Sequence, residues 1–258
     1  MRLPFGGFFK RLFTRKKTYT QVHGVGTTSG SKTEPLRGNI GEDFRFGGTT
    51  YSKRGMQEII NHEVGSEAYY KKVYHRPTWP KGYSGVTIGI GYDLGQVTLD
   101  QFITDWGNKD SVDDAEFALL KRAVGLKGKA AKAYTARIKK FVSISLEDAK
   151  EVFYDRTVPK YHGMTQRAFP GFEKLPPIVC SVLLSLVYNR GGSMGRQGSS
   201  SWNRRREMRE IRQAVPTKNL KAIASSLRSM KRLWRGKGQD GLLKRREAEA
   251  KMVESAIA

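Results

Sequence analysis

Between Pro176–Pro177 and Gly191–Gly192 runs a segment, Ile178 to Tyr188, that is apolar on nearly every helical face. The prolines preset the first turn and the glycines supply a stop, so the segment reads as a helix with sharp ends. A helix without a polar face is stable only where neighbours cover all its sides, which places this one at the centre of a bundle. The rest of the chain must therefore supply the surrounding helices. Ser52 can cap a helix in which Met56, Ile59 and Ile60 recur at helical spacing and which ends near Val64 and Gly65. Thr98 with Gln101, and Ser145 with Asp148 ahead of Ala149, Val152 and Phe153, fit further helix starts. A basic helix follows Val124, and two helices close the chain, the last including Arg245 to Ile257. Ser84 to Gly95 reads as strand and turn. The expected class is α+β, mainly α: a helical domain with one small β-hairpin near its start.

Residues 1 to 50 read differently. Residues 1 to 17 mix Phe and Leu with Arg and Lys and contain no acid, which suits adsorption to an anionic membrane surface as well as it suits a solvated basic tail. From Thr18 to about Thr50 the chain is rich in Gly, Ser and Thr and reads as a linker that buries too little to fold. The expected organisation is thus a flexible basic segment, 1–50, ahead of one folded domain, 51–258. The apolar run near the start is short and interrupted by glycines, so a cleaved secretory signal is not expected and synthesis in the cytoplasm is. No stretch reaches the roughly 18 apolar residues of a membrane span. Cys180 is the one cysteine, which excludes an intramolecular disulfide; in its apolar surroundings it reads as a buried structural thiol.

The formal charge of +23 calls for an anionic partner: nucleic acid, lipid or an acidic cell wall. Residues 1 to 40 carry +7, residues 201 to 258 carry +10, and the intervening 160 carry only +6. The four histidines, His23, His62, His75 and His162, lack metal-ligand spacing, with His62 expected to point away from Glu63; no metal or other cofactor is expected.

Glu63 shares a helix face with Met56, Ile59 and Ile60, so its carboxyl is expected to be partly desolvated, as a general acid requires. A glutamate near a helix end also commonly forms a salt bridge. In SGVTIGIGYDLG, alternation puts Val86, Ile88, Ile90 and Tyr92 on one face and Thr87, Gly89, Gly91 and Asp93 on the other. The glycines would leave a gap for a flat ring between a hydroxyl and a carboxylate; the alternative is a Gly-rich hairpin with incidental polar groups. Tyr74, Trp79 and Tyr83 could stack on sugars or pack around Pro77 and Pro80.

Glu63, the following Tyr69 and Tyr70, and then SGVTIGIGYDLG resemble the pesticin-type branch of the bacteriophage lysozyme and endolysin superfamily. LLSLVYNRGG, residues 183–192, is similar to its buried central helix and GLLKRREAEA, residues 241–250, to its closing helix. The resemblance implies a lysozyme-like fold over 51–258 and a muramidase cleaving the β-1,4 bond between N-acetylmuramic acid and N-acetylglucosamine. It makes Glu63 the general acid and Asp93 with Thr87 the holders of the attacking water, an inverting arrangement. Asn189 and Tyr92 are the candidate substrate-binding residues, though Asn189 and Arg190 could equally cap their helix. Peptidoglycan is then the partner, reached at the bacterial cell wall, by a monomer with no specific nucleic acid. The alternative is a basic nucleic-acid-binding or wall-binding protein without catalysis.

Overall fold

The computed structural model describes residues 43–257. The membrane-adsorbing role considered for residues 1–17, and most of the expected linker, lie outside the described residues.

The folded part starts earlier than residue 51. Strands β1 (Phe44–Phe46) and β2 (Thr49–Tyr51) pair antiparallel, with Phe44 opposite Tyr51. Gly47 and Gly48, both at positive φ, make the turn. What holds this hairpin is aromatic: Phe44 packs on Tyr154 with centroids 4.9 Å apart, and the Tyr51 hydroxyl lies 2.7 Å from His162 Nδ1. The linker reading fails here because two phenylalanines and a tyrosine bury enough surface where aliphatic residues are scarce.

Helix α1 (Lys53–Val64) starts at Ser52, whose hydroxyl accepts from the Gly55 amide, a cap worth about 1 kcal/mol. A short α2 (Glu67–Tyr69) continues into a π-helical turn, Tyr70–Tyr74. After an irregular segment come β3 (Thr87–Ile88) and β4 (Tyr92–Asp93). Then follow α3 (Leu99–Trp106), α4 (Asp114–Lys121), α5 (Gly128–Ile138) and α6 (Leu146–Val152), the last running through a second π-helical turn into α7 (Val158–Ala168). The expected caps form: Thr98 accepts from the Gln101 amide and Ser145 from the Asp148 amide.

The central apolar segment is α8 (Pro177–Arg190), in which every residue from Val179 to Val187 is buried. It packs against β2, α1, α7 and the closing helix α12. Gly55 lets α1 approach closely, since a Cβ there would sit 2.3 Å from that of Ser181. Gly191, at φ 73, ends the helix. Beyond it lie α9 (Ser200–Arg204), α10 (Arg206–Ala214), α11 (Leu220–Ser229) and α12 (Asp240–Glu254), two more helices than the sequence suggested. The polar stretch SSSWNRRR enters α9 and α10 by burying Met208 and Ile211, and α12 stops at Glu254, short of Ile257. The fold is mainly α with small antiparallel hairpins, as expected. Among the described residues no helix is long and apolar enough to cross a membrane.

Candidate active site

The second hairpin is a strand pair of two residues each, closed by a turn through Gly89–Gly91. Its register sets Thr87 opposite Asp93 and Ile88 opposite Tyr92, so Thr87 and Asp93 emerge side by side on one face. Their expected pairing therefore holds although the strands are shorter than simple alternation implies. The two glycines do different work from that expected of them. Gly89, at φ 54, faces inward, where a Cβ would lie 3.0 Å from that of Ala149 and 3.3 Å from the Trp106 ring. Gly91, at φ 71, leaves room for the Tyr188 hydroxyl, 2.9 Å from where its Cβ would stand.

Asp93 Oδ1 accepts backbone N–H bonds from Gly85 (3.0 Å) and Gly95 (2.8 Å). Burial pushes its pKa above the ordinary aspartate range, opposed by those two bonds and by the charge of Lys127. Its other oxygen takes no hydrogen bond among the described residues. Beside it, Thr87 Oγ1 is buried and has no hydrogen-bond partner among the described residues, a hydroxyl that a ligand or solvent oxygen would satisfy.

Glu63 occupies the last turn of α1, and its side chain is 17% exposed. Arg245, reaching from α12, donates from Nη1 to Glu63 Oε1 at 3.0 Å. The same guanidinium donates to Ser185 Oγ at 2.9 Å and lies 3.4 Å from Glu249 Oε1. Burial opposes the Arg245 charge, but Glu63 and Glu249 outweigh it and hold its pKa above the ordinary range. Glu249 also accepts from Ser185 (2.7 Å) and Arg246 (3.0 Å), so one buried carboxylate is shared between two arginines. Glu63 is thus both partly desolvated and salt-bridged. Glu63 is close enough to Tyr74, Tyr161 and Tyr188 for its charge to help raise their hydroxyl pKa values, after burial. Tyr188, whose hydroxyl stands beside Gly91 of the hairpin, also feels the Glu63 charge, after burial, in its raised pKa.

The remaining expected residues divide. Asn189 Oδ1 accepts from Arg246 at 3.3 Å, so it anchors the arginine pair while remaining partly exposed. Tyr92 turns away from this face: its hydroxyl donates to Asp105 Oδ2 at 2.7 Å and its ring meets Trp106 edge-on. That makes it a strut between the hairpin and α3, in keeping with the packed face that alternation gave it. His62 Nε2 lies 3.3 Å from Glu58 Oε1, one turn earlier on α1, and burial, then the charges of Arg245 and Arg246, hold its pKa down to about 3. Arg245 went unrecognised in the sequence. The one available signal was a run of charges, Arg245, Arg246 and Glu249, on the helix face that also carries Met252 and Val253. Among the described residues there is no group of three or more His, Cys, Asp or Glu arranged to hold a metal ion.

Over residues 48–168 the chain is similar to a family described as a domain of unknown function (DUF8812). That stretch includes Glu63, Thr87 and Asp93 and stops ahead of α8 and α12, which supply Tyr188, Asn189 and Arg245. No curated protein matches the chain.

Proposed function

We propose that this chain is a peptidoglycan hydrolase of the lysozyme type, a muramidase cleaving the β-1,4 bond between N-acetylmuramic acid and N-acetylglucosamine. The observation that carries the reading is the pairing of Thr87 and Asp93 on one face of the hairpin, with the Thr87 hydroxyl buried and without a hydrogen-bond partner among the described residues. Two carboxyl groups in unlike surroundings and a hydroxyl suited to a water are the parts that glycoside hydrolysis uses.

Glu63 delivers a proton to the glycosidic oxygen as the bond to the anomeric carbon breaks. Its Oε2 is the atom available, since Oε1 is held by Arg245. Arg245 in turn divides its charge between Glu63 and Glu249. Asp93 and Thr87 hold a water on the opposite face; Asp93 takes its proton as the oxygen joins the anomeric carbon, which inverts configuration. The wall is acidic through its stem-peptide carboxylates, and a strongly cationic protein meets such a surface faster at low salt. The site of action is accordingly the bacterial cell wall.

The decisive experiment pairs turbidity loss with reducing-sugar release from purified walls. Glu63→Gln keeps the side-chain shape and can still accept from Arg245, so it folds, yet it cannot donate the proton; activity falls about 100-fold or more. Lysis close to wild type by folded Glu63→Gln protein refutes the assignment. Absence of reducing ends from wild-type digests refutes hydrolysis itself and leaves a wall-binding protein.

A further inference from the structure

The modest charge of the middle of the chain conceals a strong segregation. Residues 70–86 and 121–142 together contain twelve Lys and Arg and no Asp or Glu. The stretches are tied together by the Gly128 amide, which donates to Ser84 O at 3.0 Å, and just past the second one by the Ile144 amide, which donates to His75 O at 2.7 Å. Among the described residues, Lys71 is the one of the twelve that forms an ion pair, with Glu67. The acids of this region lie instead on α3, α4 and α6. A solvated helix face ordinarily mixes signs; this one does not.

Aromatic rings sit within the basic face. Tyr83 is 77% exposed, presented by a turn in which Lys81 (φ 84) and Gly82 (φ 61) are both left-handed. The left-handed lysine is a strained position, and the tyrosine ring beyond it is left in solvent. Trp79 is pinned beside it, its Nε1 donating to Ser84 O at 3.2 Å. Lys127 Nζ stands 5.9 Å from the Tyr83 ring centre and Lys132 Nζ 5.7 Å from that of Trp79. The face abuts the candidate site, because Ser84 precedes Gly85, whose amide holds Asp93 Oδ1, and Lys127 acts electrostatically on that same carboxylate.

We propose that the Trp79–Ser84 loop and the start of α5 form a binding face for an acidic glycan, the carboxylate-bearing strand that flanks the cleaved bond. Its identification with the substrate strand rests on the hydrolase reading. Rigid aromatic rings offer flat surfaces to sugars, and ammonium groups at their edges meet scattered carboxylates. The cations that stand over these rings, Lys127 and Lys132, are both lysines. Point charges on flexible stems can follow carboxylates at irregular positions along a glycan.

The test uses the full chain carrying Glu63→Gln, so that walls remain intact during binding. Co-sedimentation with purified peptidoglycan, stripped of secondary polymers, is measured for this parent, for Lys127→Glu/Lys132→Glu, for Tyr83→Ala, and for Lys221→Glu/Lys251→Glu on the exposed surface of α11 and α12. The first pair is expected to weaken binding about tenfold and Tyr83→Ala severalfold, while the control pair changes it less than twofold. Peptidoglycan with amidated carboxyls should bind the parent weakly and erase the effect of the first pair. Equal losses for both charge-reversal pairs overturn the proposal, as does a loss that persists undiminished on amidated walls. Unchanged wall binding with lost binding to single-stranded DNA overturns it in favour of a nucleic-acid surface. Lysis by the wild type is measured in parallel. Lysis without a binding difference removes this face and keeps the hydrolase; a binding difference without lysis keeps the face and removes the hydrolase.

Discussion

The contact between Arg245 and Glu63 joins residues 182 positions apart and sets where the proposed acid stands, so its strength can be worked out and measured. The atoms are 3.0 Å apart and the side chains are 5% and 17% exposed. At an effective dielectric near 20, unit charges about 3–4 Å apart attract by roughly 4–5 kcal/mol, from which desolvation of both groups must be subtracted. A net coupling of about 1.5–3 kcal/mol remains. Arg245→Met removes the hydrogen-bond donor to Glu63 and one donor to Ser185, and leaves Glu249 to Arg246 and Ser185. It should cost about 3–5 kcal/mol, the range for breaking one side of a buried pair. Glu63→Gln should cost less, since the amide oxygen still accepts from Arg245. Arg245→Met placed on Glu63→Gln should cost less than Arg245→Met alone by the coupling energy, because no carboxylate is then stranded at position 63. Urea unfolding of the four proteins at pH 7, with unchanged m-values, gives the cycle. A coupling below about 0.5 kcal/mol refutes the argument, and with it the claim that Arg245 positions Glu63.

Other expectations follow from neighbouring groups. His62 has its pKa held near 3, below the value of about 6.5 in an unfolded chain. Its contribution is therefore complete above pH 6.5 and is lost as the pH falls toward 3; between pH 7 and 4, His62→Gln should lose about 1–2 kcal/mol less stability than wild type. Gly89→Ala meets both a left-handed backbone and Ala149, so a cost of about 2 kcal/mol and a Tm about 4–8 °C lower are expected by calorimetry. Because burial raises the Asp93 pKa and Lys127 lowers it, the acid limb of the lysis profile should lie above the ordinary aspartate range, and Lys127→Gln should move that limb to higher pH; an unmoved limb removes Asp93 from the titration. Proton NMR of early digests should show the α-anomer forming first from the β-linked glycan, whereas initial β-anomer would make Asp93 a nucleophile.

How much of this was legible depended on whether the decisive forces act locally. The central helix could be read because apolarity on every face leaves one place for it, and the caps at Ser52, Thr98 and Ser145 because a hydroxyl meets an amide within three residues. The β1–β2 hairpin was hidden because a search for aliphatic periodicity overlooks Phe44 and Tyr51, whose burial depends on partners more than 100 residues away. Thr87 and Asp93 were placed correctly by alternation, and the turn through Gly89–Gly91 preserved their common face since it reverses the chain without shifting the register. Alternation failed for Gly89 itself, which belongs to the turn and faces Ala149 and Trp106.

Charge was the feature that averaging most distorted. Summed over residues 41 to 200 the chain carries only +6, which suggests a nearly balanced domain between two basic ends. That sum cancels acids on α3, α4 and α6 against cations on the Trp79–Ser84 loop and α5, groups that folding places on different elements. A polymer approaching the hairpin does not meet the sum. Within a Debye length of about 10 Å it meets the nearest charges, and beside Asp93 these include Lys127, with the other lysines of the loop and α5 beyond it. A domain of small local excess can therefore present lysines beside one carboxylate-bearing site.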